Sequence, residues 1–203
     1  MKTKKFDTKR MVMLALLSGI LLVMSYTPLG YLNIGPLAIS LNMIPVAIAA
    51  VALGPSGGAF LGAVFGVTSC LQCIGIGGLS QMGAILFEIN PVFCFVQRLV
   101  PRILAGFLAG CAFIGVKKLA GTTVSCFVTG FLAALLNTVL FMGALILLFG
   151  STDYIQGLMA GKNVLLFVCG FVGVNAVVEM LATTVVVGAV CKALERAKLI
   201  GGR

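Results

Sequence analysis

The chain has 203 residues, of which 61% are hydrophobic and only 9% are charged, and its mean hydropathy is +1.20. Soluble domains carry about a quarter charged residues, so this composition excludes an ordinary soluble protein and predicts an integral membrane protein. The formal charge of +9 comes from basic residues near the ends of apolar segments, which indicates membrane topology and not nucleic-acid binding. Because the apolar runs do not alternate with polar residues, an all-α fold is favoured over a β-barrel.

Six apolar segments are predicted as transmembrane helices, at about 10–26, 41–53, 56–71, 96–116, 124–149 and 164–194. Together they predict a single transmembrane domain over residues 1–203. The basic start MKTKKFDTKR resembles the beginning of a signal peptide, but no small-residue cleavage site follows it before Pro28. We therefore interpret the first apolar segment as an uncleaved span.

The stretch from Thr27 to Gly66 contains several backbone breakers, including Gly30 and Pro36. Broken backbone at membrane depth is tolerated only where protein buries it or where it borders a cavity, so this stretch predicts the edge of a binding site that includes Asn33. The mixed segment 72–94 is a second candidate, since long connections in compact proteins are often functional. Its candidate binding residues are Gln81, Glu88 and Asn90.

The distribution of basic residues predicts the orientation of the chain. With six helices, one side of the membrane carries Lys2, Lys4, Lys5, Lys9, Arg10, Lys117, Lys118, Lys192, Arg196, Lys198 and Arg203. The other side has only Arg98, Arg102 and Lys162. Both termini are therefore expected in the cytoplasm, and the connections 27–40, 72–94 and 150–162 are expected outside, where a pocket would open.

Ionisable residues inside the predicted spans are candidates for function, because they are costly to bury in a membrane. Arg98 and Arg102 are four residues apart and share a helix face, where two guanidinium groups could bind a carboxylate or phosphate. They could instead reach outer lipid headgroups or pair with Glu88. Glu179 could bind a ligand hydroxyl or amide, could carry a proton, or could pair with an arginine.

Two asparagines complete the set of polar residues in the predicted spans. Asn175 lies one helical turn before Glu179, and Asn137 lies near the middle of the fifth segment. Each amide could contact a ligand or could hold helices together. The chain has no histidine, no carboxylate pair on one face and no nucleotide-binding motif, so we expect neither an enzyme nor a cofactor. The pair CLQC is the best candidate for a metal or redox site, but packing is the favoured interpretation and no metal site is predicted.

Four motifs in this order resemble the substrate-binding S components of energy-coupling-factor (ECF) vitamin transporters, in the branch of folate, riboflavin and pantothenate carriers. The motifs are TPLGYLNIGPLAISLNMIPVAIAAVALGPSGGAFLGAVFG, PRILAGFLAG, LNTVL and NAVVE. The resemblance covers essentially the whole chain. It implies a six-helix bundle in the bacterial cytoplasmic membrane that binds a vitamin from outside and has no energy source of its own.

The resemblance also implies partners. The protein would dock onto a transmembrane coupling subunit and two cytoplasmic ATPase subunits. The family places an Ala-x-x-x-Ala pattern on its first helix against the coupling subunit, and Ala15 and Gly19 stand at the matching positions. Gly19, like alanine, has no bulky side chain, so another helix could approach this surface closely and docking is expected here.

The substrate is predicted from the polar residues. Two arginines and several amides, with 14 Phe, 3 Tyr and no Trp, suit a small flexible acid better than a flat ring system that needs stacking. Pantothenate is therefore favoured, followed by folate and riboflavin. Two other classes stay open at this point: a self-sufficient secondary transporter that uses Glu179 as its proton carrier, and a membrane assembly protein whose outer loops bind another protein.

Overall fold

A computed structural model describes residues 8–27, 30–33, 38–78, 80–159 and 163–197, and gives only the backbone of residues 31–33, 38, 39, 164–169, 171, 172 and 174. In these ranges the helices are α1 (Thr8–Ser25), α2 (Met43–Leu53), α3 (Pro55–Cys73), α4 (Gln81–Ile89), α5 (Pro91–Phe149), α6 (Asp153–Met159) and α7 (Val164–Arg196). Strands β1 (Tyr31–Asn33) and β2 (Ala38–Ser40) form an antiparallel hairpin. Among the described residues, four helices are long and apolar enough to cross a membrane. The prediction of a helical integral membrane protein is confirmed, although the hairpin departs from a purely α fold.

Helix α5 consists of two legs that meet at Gly121. This glycine has φ 77° and ψ 174°, a conformation that residues with a side chain rarely adopt. The ring centroids of Phe93 and Phe149 are 6.2 Å apart, and the Arg102 guanidinium lies 4.3 Å from the Phe141 ring centroid. Residues near the start of the first leg (91–120) therefore face residues near the end of the second leg (122–149). The two legs are therefore antiparallel. They correspond to the two helices that the sequence analysis predicted at about 96–116 and 124–149.

Glycines allow α3 to pack closely against the first leg of α5. A Cβ atom at Gly58 would collide with the carbonyl oxygen of Gly106, and one at Gly62 would collide with the carbonyl oxygen of Arg102. Because the two backbones touch at these positions, only glycine fits. Gly58, Gly62 and Gly66 lie four residues apart and form a glycine face, which is thus an antiparallel helix contact.

Polar contacts define the two ends of the bundle. The Arg10 guanidinium donates a hydrogen bond to Ser56 Oγ, and Thr123 donates one to Glu195 at 3.4 Å. The start of α1, the α2–α3 turn, the Gly121 bend and the end of α7 therefore lie together, and we call this the terminal end. The β-hairpin, α4 and α6 lie at the other end, which we call the hairpin end.

Helix α2 is the central helix of the bundle. All but three of its residues are buried, and it packs against α3, α5 and α7. A helix that is apolar on every side is expected in such a position. With 11 residues, α2 is only about 16 Å long, so it is shorter than a membrane core.

The connections at the hairpin end contain more helix than the sequence analysis predicted. The segment 72–94 holds α4 and the first turn of α5, and the connection 150–162 holds α6. The predicted start of the fourth helix at Val96 is wrong by five residues. Asn90 caps α5, because its Oδ1 accepts a hydrogen bond from the Phe93 N–H at 3.1 Å, and Pro91 occupies the first turn, where its missing N–H costs nothing.

Candidate functional site

Two buried arginines form the centre of the candidate site. Arg98 and Arg102 lie on one face of the first leg of α5 and are only 7% and 6% exposed. Both guanidinium groups lie over the Phe141 ring of the second leg, with centroid distances of 5.5 Å and 4.3 Å. Arg102 also lies 5.0 Å from the ring centroid of Phe65 on α3. The arginines thus point into the bundle, and neither reaches for lipid headgroups.

Arg98 is held by two serine hydroxyl groups. Its Nη1 donates to Ser69 Oγ at 3.2 Å, and its Nη2 donates to Ser80 Oγ at 3.3 Å. Ser80 is also the N-cap of α4, because its Oγ accepts a hydrogen bond from the Gly83 N–H at 3.3 Å. Arg98 Nε is buried and has no hydrogen-bond partner in the described part of the chain. The connection between α3 and α4 therefore fixes the position of this cation and leaves one of its donors available.

The carboxylate of Glu179 lies across the bundle from the arginines. Glu179 is 7% exposed, and Asn137 Nδ2 donates a hydrogen bond to its Oε1 at 3.5 Å. Arg102 is near enough for its charge to act on this carboxyl group, and the hydrogen bond from Asn137 joins α5 to α7. Asn137 Oδ1 is buried and has no partner among the described atoms. The site therefore combines two cations, one carboxyl group and one amide with a free acceptor.

The fold brings four of the predicted binding residues together, namely Arg98, Arg102, Asn137 and Glu179. Asn175 lies on α7 one turn before Glu179 and is half-buried. Gln81 and Glu88 are exposed on α4, so Glu88 is not placed among the buried arginines. Asn90 caps α5. The backbone of Asn33 lies in β1, and its side chain lies outside what the structure describes.

Several residues of this cluster were missed by the sequence analysis. Ser69 and Ser80 bind Arg98, and Phe65 and Phe141 face Arg102. The phenylalanines resemble any other apolar residue of a span, so no sequence signal distinguished them. Ser80 could have been found, because a serine three residues before a glycine at the start of an apolar run is a possible helix cap.

The two cysteines of the CLQC motif lie near different residues, and the Sγ of Cys70 is 4.0 Å from the carbonyl oxygen of Phe95. Cys73 of this motif instead lies near Cys94, whose Sγ is 3.7 Å from the Cys73 Sγ. In the described ranges no group of three or more potential metal ligands is close enough to hold an ion. This thiol contact packs the end of α3 against the start of α5.

The predicted docking residues lie on the outer surface of α1. Ala15 and Gly19 are exposed, and a side chain added at Gly19 would meet no atom within 4 Å. They share this surface with Met11, Val12, Leu16, Ile20 and Val23, which are also exposed. The face is apolar and open, and docking at Ala15 and Gly19 stays a prediction.

An apolar helical bundle with charged residues held at its centre defines a multi-pass membrane protein with an internal polar site. Comparison with known families identifies the family to which this membrane protein belongs. The family model described as "ECF transporter, substrate-specific component" matches residues 9–191, and the chain belongs to this family. It is thus a membrane component of vitamin uptake and not an enzyme. The family works with the ATPase and transmembrane components of ECF transporters.

Two curated relatives align over almost the whole chain. A protein named pantothenate transporter PanT from Leuconostoc mesenteroides is 30% identical over 96% of this chain and 98% of its own length. A pantothenic acid transporter PanT from Lactococcus lactis subsp. cremoris is 26% identical over 94% of this chain and 97% of its own length. The family resemblance predicted from the sequence motifs is therefore confirmed.

Proposed function

We propose that this protein is the pantothenate-binding S component of an ECF importer. The buried pair Arg98 and Arg102 is the observation that carries this proposal, since two adjacent cations in a membrane protein are a binding site for an anion. The pair has one internal carboxyl group nearby, Glu179, which cannot balance both positive charges, so a ligand carboxylate would supply a missing negative charge. The names of the two relatives support pantothenate as the acid.

The remaining polar groups suit the rest of pantothenate. A guanidinium group donates through a planar fork that matches a carboxylate, and the unpaired Nε of Arg98 extends this donor set. Asn137 Oδ1 offers an acceptor to a ligand hydroxyl or amide N–H. We place the predicted residues Asn33, Gln81, Glu88, Asn90 and Asn175 at the periphery of this site.

The aromatic residues argue against a flat ring system. Folate and riboflavin need open aromatic faces for stacking. The two rings nearest to the arginines, Phe65 and Phe141, already face the Arg102 guanidinium. Folate and riboflavin are therefore less favoured as substrates than pantothenate.

We propose that all six helical passes cross the membrane, with both termini in the cytoplasm and the hairpin end outside. Ligand would then enter from the hairpin end, where Ser80 and α4 border Arg98. A transmembrane coupling subunit and two ATPase subunits would supply the energy. The proton-coupled alternative has less support, because the matching family model describes substrate-specific components of ECF transporters.

The test is calorimetric titration of the detergent-purified protein with pantothenate, folate and riboflavin. We expect pantothenate to bind most tightly, and Arg98→Ala or Arg102→Ala to weaken it about 10- to 100-fold, since a hydrogen bond to a charged group contributes about 1.5–3 kcal/mol. Arg10→Ala is the matched control, because Arg10 binds Ser56 at the terminal end. Tighter binding of folate or riboflavin would refute pantothenate as the substrate. Unchanged affinity for pantothenate in both arginine variants would refute the arginine pair as the binding site.

A further inference from the structure

Gln97 is a buried amide without a hydrogen-bond partner. Its exposed fraction is 0%, and neither its Nε2 nor its Oε1 has a partner in the part of the chain that the structure describes. Buried polar side chains are bonded in the large majority of cases, so this exception needs an explanation. The residue lies on the buried face of the first leg of α5 and precedes Arg98.

The surroundings of Gln97 provide little that could satisfy it. The register of the two legs, set by Phe93 with Phe149 and by Arg102 with Phe141, places Gln97 near the level of Leu145. Leu145 is fully buried and apolar. Cys94, one turn before Gln97, belongs to the same apolar cluster as Leu145. Methionine or leucine at position 97 would fit such an environment better than glutamine.

A second buried glutamine shows what a structural role looks like in this bundle. Gln72 on α3 is 7% exposed, and its Nε2 donates a hydrogen bond to the Ser25 carbonyl oxygen at 2.8 Å. That bond joins α3 to α1. Gln97 makes no comparable link, so its amide is retained at a cost to stability, as is typical of residues that serve binding.

We infer that Gln97 binds the amide group of the ligand and thereby determines specificity for an N-acyl amino acid. This inference rests on the proposed function, because the ligand must present its carboxylate to the adjacent Arg98. The arginines only donate hydrogen bonds, whereas the Gln97 amide both donates and accepts, so it matches a group that does the same. In pantothenate a short methylene linker separates the amide group from the carboxylate. The two groups are therefore close enough to bind the neighbouring residues Gln97 and Arg98 at the same time.

The first measurement is the melting temperature of the ligand-free protein. Gln97→Met keeps the size of the side chain and removes its polar atoms, so we expect the melting temperature to rise by a few degrees. Gln72→Met is the matched control and is expected to lower it, because its hydrogen bond to Ser25 is lost. A lower melting temperature for Gln97→Met, or a failure of that variant to purify, would overturn the inference.

The second measurement is the affinity for pantothenate and for its ester analogue, in which oxygen replaces the amide nitrogen. We expect the wild-type protein to prefer the amide by about tenfold, which corresponds to one hydrogen bond. Gln97→Met should bind pantothenate about 10- to 100-fold more weakly and should lose the preference.

The possible failures can be told apart. A wild-type protein that binds pantothenate and its ester equally well overturns the role of Gln97 and leaves the proposed function standing. The same holds if Gln97→Met binds pantothenate as tightly as the wild type. A wild-type protein that binds no pantothenate refutes the proposed function, and the inference falls with it.

Discussion

The Arg102 side chain lies between two kinds of group, the aromatic rings of Phe65 and Phe141 and the carboxyl group of Glu179. Its guanidinium group lies against the rings of Phe65 and Phe141, and its charge acts on Glu179. Two buried positive charges and at most one negative charge, from Glu179, leave the site with a net positive charge before ligand binds. Burial makes this imbalance expensive, and an anionic ligand removes it. Glu179 thus lowers the cost of keeping Arg102 in place.

Replacing this counter-ion should therefore affect the free and the bound protein differently. We expect Glu179→Gln to lower the melting temperature of the ligand-free protein by about 5 °C or more, because removing one partner of a buried pair leaves an uncompensated charge. Pantothenate should then raise the melting temperature by more than it does in the wild type, since its carboxylate now supplies the missing charge. Differential scanning fluorimetry with and without pantothenate measures both effects.

Glu195→Gln is the control for this experiment. Glu195 also lies on α7, but it accepts a hydrogen bond from Thr123 at the terminal end, away from the arginines. It should change neither the melting temperature nor the response to pantothenate by much. If Glu179→Gln instead reduces the response to pantothenate, Glu179 contacts the ligand directly.

At the scale of single residues, sequence alone predicted the charged residues and the Asn137 amide of the candidate site, but not the residues that contact the arginines. Arg98, Arg102 and Glu179 stood out because charges inside apolar spans are rare. Their partners Ser69 and Phe141 did not, because serine and phenylalanine are ordinary residues in membrane helices. Gln97 was missed for a further reason: its importance depends on the absence of a partner, which only coordinates reveal.

Among the helices, the contact between α3 and the first leg of α5 determines where the arginines lie. Gly62 touches the backbone of Arg102, and Gly58 touches that of Gly106. Any widening of this contact moves the Arg102 backbone away from Phe65 on α3. The glycine face therefore positions the site as well as packing the bundle.

Gly62→Ala should disturb both stability and binding. The new methyl group would collide with the Arg102 carbonyl oxygen, and overpacking of this kind costs about 1–3 kcal/mol. We expect the melting temperature to fall by about 3–10 °C and pantothenate affinity to fall with it. Thermal unfolding and calorimetric titration of the purified variant test these effects.

Gly115→Ala is the matched control on α5. A methyl group at Gly115 meets no atom within 4 Å, so alanine should be neutral or slightly stabilising, as in other exposed helix interiors. Equal melting temperatures for Gly62→Ala and the wild type would show that the two helices can separate without cost. The proposed positioning role would then be wrong.

The short elements show where prediction from sequence reached its limit. The apolar runs predicted the long helices well, because this pattern is strong over many residues. Helices α4 and α6 and the β-hairpin were interpreted as loops, since short amphipathic or breaker-rich segments carry weak local signals. Their conformation depends on packing against the ends of α3 and α5, for example through Leu86 and Ile155, which are fully buried.

For the molecule as a whole, orientation in the membrane is the first open question. The helical segments of the bundle alternate in direction between the terminal end and the hairpin end, and most basic residues of the described ranges lie at the terminal end. Asp153 on α6 and Lys118 near the Gly121 bend are both exposed and lie at opposite ends. They are therefore suitable positions for a labelling experiment.

A membrane-impermeant maleimide should label Asp153→Cys in intact cells and should label Lys118→Cys only after the cells are broken. This outcome follows if the positive-inside rule places the terminal end in the cytoplasm. The unsubstituted chain, with its native cysteines, gives the background for both measurements. The reverse pattern would invert the proposed orientation, and labelling of both positions in intact cells would contradict an odd number of crossings between them.

The source of energy is tested by separating ligand binding from transport. Gly19 lies on the exposed face of α1 with open space around it, so Gly19→Leu should fold and bind pantothenate as the wild type does. It should nevertheless lose pantothenate uptake in vesicles that also contain the coupling subunit and the ATPases, because a bulky side chain prevents close helix contact. Gly115→Leu places the same side chain on an exposed part of α5 and should retain uptake.

With ATP present, an ionophore that collapses the proton gradient should leave wild-type uptake unchanged. Uptake by the isolated chain that follows the proton gradient and is lost in Glu179→Gln would instead establish the secondary transporter.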